Sequence, residues 1–210
     1  MSTTDDAPAP VAQAVSGIAD PAPLGLAAFA LTTFLLSAVN AGWAKSSTGD
    51  AWLGYAFAYG GLAQLLAGMW EFRNRNVFGA TAFSSYGGFW IGLGLWALLV
   101  APHATSATAT NKDLGWILLA FAIFNTYMLL CSTQVNAAVF CVFLTLELTE
   151  IFLFIGGFTG NANITKVGGY IGVLTALVAW YTSFAGVMNG IAGRMVAPVG
   201  RPLLNLSRTA

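Results

Sequence analysis

The sequence predicts an all-α membrane protein of six transmembrane helices per protomer, with both termini inside. Three observations carry that prediction. Hydrophobic residues make up 57% of the 210-residue chain and charged residues 8%, against roughly 25% charged in soluble domains. Such a chain cannot cover a water-facing surface with polar groups, so lipid has to take that role. From Leu24 to Asn189 the sequence is apolar almost without a break, and nearly every charge falls between hydrophobic runs. Glycine is abundant, at 24 residues, which suits helices packed closely in a bilayer.

Crossing the hydrocarbon layer takes about 20 apolar residues per helix. Six stretches qualify, at 24–43, 51–72, 79–100, 114–131, 137–158 and 167–189. Polar gaps at 45–50, 73–76, 103–113 and 161–166 separate them, and the uncharged gap at 132–136 predicts a tight hairpin. The first helix has a start signal, with Asp20 able to cap it and Pro21 in its first turn. The third is small and polar in its first half, through Gly79, Ser84, Ser85, Gly87 and Gly88. Such a segment should pack inside the bundle or line a wet cavity rather than face lipid. An even number of spans puts both termini on one side. Arg73, Arg75, Arg194, Arg201 and Arg208 then balance against Lys45, Lys112 and Lys166 opposite, which makes the terminal side cytoplasmic. Residues 1–20 read as a disordered cytoplasmic tail, because a stretch without Lys or Arg does not resemble a secretory signal. Residues 21–192 form the transmembrane transport domain and 193–210 a cytoplasmic C-terminal tail.

Composition also limits the chemistry. A net charge of zero suggests no nucleic-acid partner. Cys131 and Cys141 fall in spans and read as packing residues; with the loop residue His103 they make no metal site. No nucleophile paired with a base falls in a span, so no enzyme and no cofactor are expected.

The polar residues inside the spans therefore carry the functional reading. Most lone Ser and Thr are expected to bond neighbouring helices or their own backbone. Asn40, Gln64, Glu147 and Glu150 need specific partners, because a large polar group in lipid is costly. Glu147 and Glu150 lie three apart, about 60° around a helix. A face presenting Leu146 to a passage would place Glu150 beside it and turn Glu147 towards a neighbouring helix. The pair reads either as a proton carrier or gate, or as neutral acids hydrogen-bonded in a helix or subunit contact. Aromatics beside glycines, Phe57 and Tyr59 before Gly60-Gly61 and Phe83 and Tyr86 before Gly87-Gly88, either narrow a passage or simply pack.

Asp20-Pro21-Ala22-Pro23-Leu24-Gly25-Leu26 resembles the Asn-Pro-x-Pro-Leu-Gly-Leu signature of the acetate uptake transporter family, which contains bacterial succinate–acetate permeases and fungal acetate transporters. The resemblance continues through Tyr59-Gly60-Gly61, Gln64, Ala67-Gly68 and Glu71. It resumes over Asn76-Val77-Phe78-Gly79-Ala80-Thr81-Ala82-Phe83-Ser84-Ser85-Tyr86-Gly87-Gly88-Phe89-Trp90, and is sparse after Pro102. It implies a six-helix protomer with its own passage, assembled as a hexamer in a bacterial inner membrane, that moves acetate and related short carboxylates such as succinate. It further implies a hydrophobic constriction of Phe29, Tyr86 and Leu146, with Ala179 tuning which carboxylate passes. Thr32, Thr33, Asn40 and Gln64 are the polar groups then expected to meet the carboxylate. Asp20 departs from the signature asparagine, and the glutamate pair is no part of the family motif. No Lys or Arg lies within a predicted span, so the passage is expected to work without a fixed positive charge. An ammonia conductor is the main rival, weakened by the absence of an intramembrane histidine; a non-transporting subunit of a membrane complex is the other.

Overall fold

The computed structural model describes residues 17–44 and 50–204. Most of the expected N-terminal tail, Lys45, and the last residues including Arg208 lie outside the described residues. Every regular element of the described chain is helical. Helix α1 (Ala22–Asn40) is followed by α2 (Ala51–Phe57), a π-helical segment (Ala58–Ala63) and α3 (Gln64–Arg73), which run on as one path. Then come α4 (Val77–Leu95), extended by a second π segment and a 3-10 turn to His103, α5 (Ala107–Ser132), α6 (Ala137–Thr159) and α7 (Ala162–Ala192). Five of these helical runs are long and apolar enough to cross a membrane: 22–40, 77–103, 107–132, 137–159 and 162–192.

Side-chain caps, rather than the edges of the apolar runs, set the helix starts. Asn76 Oδ1 accepts from the Gly79 amide, Ser106 Oγ from Ala109, Asn136 Oδ1 from Val139 and Asn161 Oδ1 from Asn163. Each satisfies a donor that has no partner inside the helix. Two predicted gaps are corrected on this account. Helix α5 begins at Ala107 and α7 at Ala162, so much of 103–113 and of 161–166 is helical, and Lys166 lies inside α7. Pro21 occupies the N-cap position of α1, while Asp20 Oδ1 accepts from the Ala22 amide.

The helices close into a ring: α1 packs on α7, α7 on α6, α6 on α5, and α3 with the π segment on α4 and α1. The α4–α5 seam is the loosest join. Close approach explains several motif residues. A Cβ on Gly25 would sit 2.7 Å from the Phe83 ring, and one on Gly60 would collide with the Thr32 side chain. Ser183 of α7 donates to the Pro23 carbonyl at 2.6 Å, tying the signature turn to the far end of the chain. The C-terminal segment is not a free tail over its described part. The Leu203 and Leu204 amides donate to the Thr133 carbonyl, the Ala138 amide to the Val199 carbonyl and the Tyr181 hydroxyl to the Pro198 carbonyl. It straps the α5–α6 hairpin. Cys131 and Cys141 are free thiols on the protomer's outer surface rather than in its core.

Candidate functional site

Two vestibules enter the ring from opposite ends. One, of about 440 Å³, lies at the N-terminal end of α1 and is lined by Asp20, Asn74, Asn76, Asn136 and Asn189 beside apolar groups. The other, of about 480 Å³, lies where α1 ends and α7 begins, and Asn40, Asn111, Trp52, Trp96, Thr165 and Lys166 line it. Lys166 is thus a cation at the mouth of the passage. Among the described residues that line the other vestibule and the small chamber next to Phe29 and Tyr86 there is no Lys or Arg.

Between the vestibules the helices meet in one apolar cluster that contains Phe29, Tyr86, Leu146 and Ala179. Phe29 of α1 and Tyr86 of α4 stand edge to face with ring centroids 5.8 Å apart. Both are buried, at 5% and 3% exposure, and neither points towards lipid. Further rings lock Tyr86 in place: Phe89, Phe121 and Phe124 lie 6.2, 5.8 and 5.5 Å away. The Phe29, Phe89 and Phe124 pairs are edge to face and Phe121 is tilted; such pairs set ring orientation as well as burying area.

Directly beside this neck lies a chamber of about 40 Å³ lined by Phe29, Thr33, Ser37, Asn40, Tyr86 and Leu146, with Thr149 and Glu150. It shares Leu36, Asn40, Leu118 and Leu153 with the larger vestibule, so it is the blind end of that vestibule. At about 10–15 Å³ per water, a volume of this size holds a few waters. A carboxylate can pass only if the surrounding side chains move.

The polar groups around the neck form one network. Asn125 of α5, fully buried, accepts from the Tyr86 hydroxyl at 2.9 Å. Its amide nitrogen donates to the Phe143 carbonyl at 3.0 Å and to Glu147 Oε2 at 2.7 Å. Thr126 adds a bond to Glu147 Oε1 at 2.9 Å. The Tyr86 hydroxyl also lies 3.3 Å from Glu150 Oε1, and Glu150 Oε2 is buried without a partner. Thr149 and Thr175 join α6 to α7 at 3.1 Å.

The structure therefore brings together Phe29, Tyr86, Leu146, Thr33, Asn40, Ala179 and Glu150. It does not bring Thr32 or Gln64 to the passage. Thr32 faces the α2 side, bonding the carbonyls of Ala28 and Tyr55. Gln64 is buried near the π segment with its Oε1 unpartnered, and lines neither vestibule nor chamber. Glu147 turns away from the chamber to α5. Motif residue Glu71 is fully buried and bonds Asn74 at the α3–α4 turn; Tyr59, Gly60 and Gly61 form the π segment, and Pro21, Pro23, Leu24 and Gly25 the start of α1. Sequence reasoning missed Asn125 as an organising residue. The polar pair Asn125-Thr126 within an otherwise apolar run was the available signal, because a buried amide needs partners for each of its polar atoms.

The model of the GPR1/FUN34/yaaH family matches residues 5–201 of this chain. The chain belongs to that family. Among family members it is 42% identical over 198 residues to "Acetate permease A" of Emericella nidulans, covering 86% of this chain and 65% of that protein. It is 37% identical over 184 residues to "Succinate-acetate/proton symporter SatP" of Escherichia coli, covering 87% of this chain and 96% of that one. It is also 40% identical over 185 residues to "Ammonia transport outward protein 2" of Saccharomyces cerevisiae, covering 86% of this chain and 64% of that protein. The chain thus spans about two thirds of the length of the fungal members. The solved structure described as the bacterial acetate channel SatP superposes with a TM-score of 0.81 at 36% identity, over 87% of this chain and 99% of that one. The family is one of integral membrane proteins, and the members named here are transporters rather than enzymes.

Proposed function

We propose that this protein conducts acetate and related short-chain carboxylates, succinate among them, across the cytoplasmic membrane through the neck of each protomer. The observation that carries this reading is the neck itself: the chamber off the larger vestibule is lined by Phe29, Tyr86 and Leu146, whose apolar cluster also holds Leu26, Phe83 and Phe143 at the smaller vestibule, and a solute crossing that cluster has to shed its water. A dehydrating ring of this kind penalises a bare inorganic ion heavily. A small organic acid has an apolar end to slide along the rings, and becomes neutral on taking one proton. Thr33 and Asn40 offer the carboxyl group neutral hydrogen-bonding partners as it approaches. Ala179, fully buried in the same cluster, sets the width of the passage and hence the carbon chain it accepts.

In this reading the helical path from Ala51 to Arg73 is the sixth crossing, bent by its π segment, and both termini lie in the cytoplasm. Lys166 then faces outward and draws the anion into the larger vestibule, while the smaller opens to the cytoplasm. The protomer works within a homo-oligomer, a hexamer by family resemblance, in a plasma membrane. Ammonia conduction is the second reading, favoured by the name of one relative. The described passage holds no histidine to relay an ammonium proton, and His103 sits in the turn that ends the α4 extension. Uptake of labelled acetate and labelled methylammonium into protein-containing liposomes separates the two. Acetate flux above protein-free vesicles with no methylammonium flux is the expected result.

A further inference from the structure

Hydrogen-bond counting around Tyr86 leaves one proton to be placed. The Phe143 carbonyl can only accept, so the Asn125 NH2 group must face it, and its second N–H is taken by Glu147. The Asn125 oxygen is then the atom that faces Tyr86. The Tyr86 hydroxyl has a single hydrogen and two acceptors within reach, Asn125 Oδ1 at 2.9 Å and Glu150 Oε1 at 3.3 Å. If that hydrogen goes to Asn125, Glu150 meets the phenol oxygen as a donor, and therefore as a carboxylic acid. If Glu150 is ionised, the hydrogen turns to it and the buried Asn125 oxygen is left without a partner, a costly arrangement. The second carboxyl oxygen of Glu150 is buried without a partner, and Glu150 lines the chamber.

We propose that Glu150 is a proton-exchange site for the carboxylate in the chamber, and that Tyr86 reports its charge to the neck. This rests on the carboxylate-transport reading above. In the step, the Glu150 carboxyl turns so that its O–H leaves the Tyr86 oxygen and faces the chamber; that O–H bond breaks and an O–H bond forms on the substrate carboxylate. The neutral acid enters the neck, and the Tyr86 hydroxyl rotates from Asn125 to the carboxylate left on Glu150. A proton from vestibule water restores the starting arrangement. Moving the acid rather than the anion removes the main desolvation cost of the neck. The titratable groups facing Glu150 are Tyr86 from α4 and Glu147 from its own helix. From α5 the chamber takes Leu118, with Asn125 on the other side of the Tyr86 hydroxyl; α1 gives Thr33 and Ser37, and α7 lends Thr175 to the neighbouring Thr149. Glu147 faces α5 rather than the chamber: Asn125 donates to its Oε2, and its Oε1 lies 2.9 Å from the Thr126 hydroxyl, which also reaches the Ala122 carbonyl.

The test combines infrared spectroscopy with flux, on the full chain. Wild-type protein at neutral pH should show the carbonyl stretch of a protonated carboxylic acid that disappears in Glu150→Gln and is perturbed when acetate is added. In liposomes at clamped voltage, an inward gradient of about one pH unit is a tenfold drive, ~1.4 kcal/mol per proton. It should accelerate labelled acetate uptake severalfold in wild type and leave a ratio near one in Glu150→Gln, whatever the absolute rate. A wild-type spectrum without a protonated-carboxyl band overturns the proposal even if the variant does not fold. So does a folded Glu150→Gln that keeps the wild-type band or ratio. Absence of acetate flux in wild type overturns the transport reading instead, and the band measurement then stands apart from it.

Discussion

Replacing Asn125 with leucine tests the network that holds the neck. Leucine keeps the same branched skeleton with slightly bulkier ends, so no cavity opens; the hydrogen bonds are lost and any crowding at this buried site adds to the cost. Three bonds are at stake: from the Tyr86 hydroxyl, to the Phe143 carbonyl and to Glu147. Interhelical hydrogen bonds in membrane proteins average about 0.6 kcal/mol, which puts the loss at ~2 kcal/mol. The orphaned Glu147 oxygen and Tyr86 hydroxyl push it upward, since an unmet buried group costs about 1–3 kcal/mol. For a chain of this size each kcal/mol shifts the midpoint by about 2–4 °C, so Asn125→Leu should melt at least ~4 °C below wild type. The assay is thermal unfolding of the detergent-solubilised protein followed by tryptophan fluorescence. An unchanged midpoint would show that Asn125 does not join α4, α5 and α6, and the network reasoning would fall with it.

Three further changes probe the passage and its frame. Phe29→Ala opens the neck at its edge-to-face contact with Tyr86. It should raise succinate uptake severalfold relative to acetate, at a stability cost bounded by the ~3–5 kcal/mol of Phe truncation in a soluble core. An unchanged uptake ratio in folded protein would remove Phe29 from the passage. Lys166→Gln should lower initial acetate uptake about two- to fivefold at low salt, the scale of ~1 kcal/mol for a charge pair in water. The deficit should fade near 0.15 M salt, where the screening length is about 8 Å; a salt-independent effect contradicts steering. Gly60→Ala drives a methyl group into Thr32 and should cost about 1–3 kcal/mol as overpacking, read as a lower melting temperature.

Much of the fold was legible because hydropathy reads membrane spans with little dependence on tertiary context. Five of the expected spans coincide with long apolar helices, and the uncharged gap at 132–136 is the α5–α6 turn. Helix ends were less legible. Ser106 and Asn161 start α5 and α7 ahead of their apolar runs, and capping side chains do not register in a hydropathy window. The π segment over Ala58–Ala63 came from packing against α1 and α4, which local sequence does not encode. The C-terminal strap depends on contacts with residues far away in the chain.

The neck residues came from resemblance, and the structure places Phe29, Tyr86 and Leu146 in one cluster. Thr32 and Thr33 could have been separated beforehand. Neighbours on a helix point about 100° apart, so both cannot face one narrow passage. The helical wheel did anticipate that Glu150 and Glu147 would part company, one beside Leu146 and one turned to the next helix. What Asn125 does was invisible, because a hydrogen-bond hub is defined by three helices that only the fold brings together.

The central claim is that a small carboxylate loses its water and passes between Phe29 and Tyr86 within a single protomer. Labelled-acetate uptake into liposomes, with pH gradient and voltage set independently, tests it most directly. Uptake should be saturable, and a bulky side chain at Ala179, such as Ala179→Phe, should abolish it in protein that still folds and assembles. Uptake that survives this blockage at the wild-type rate would place the route outside the neck and contradict the account.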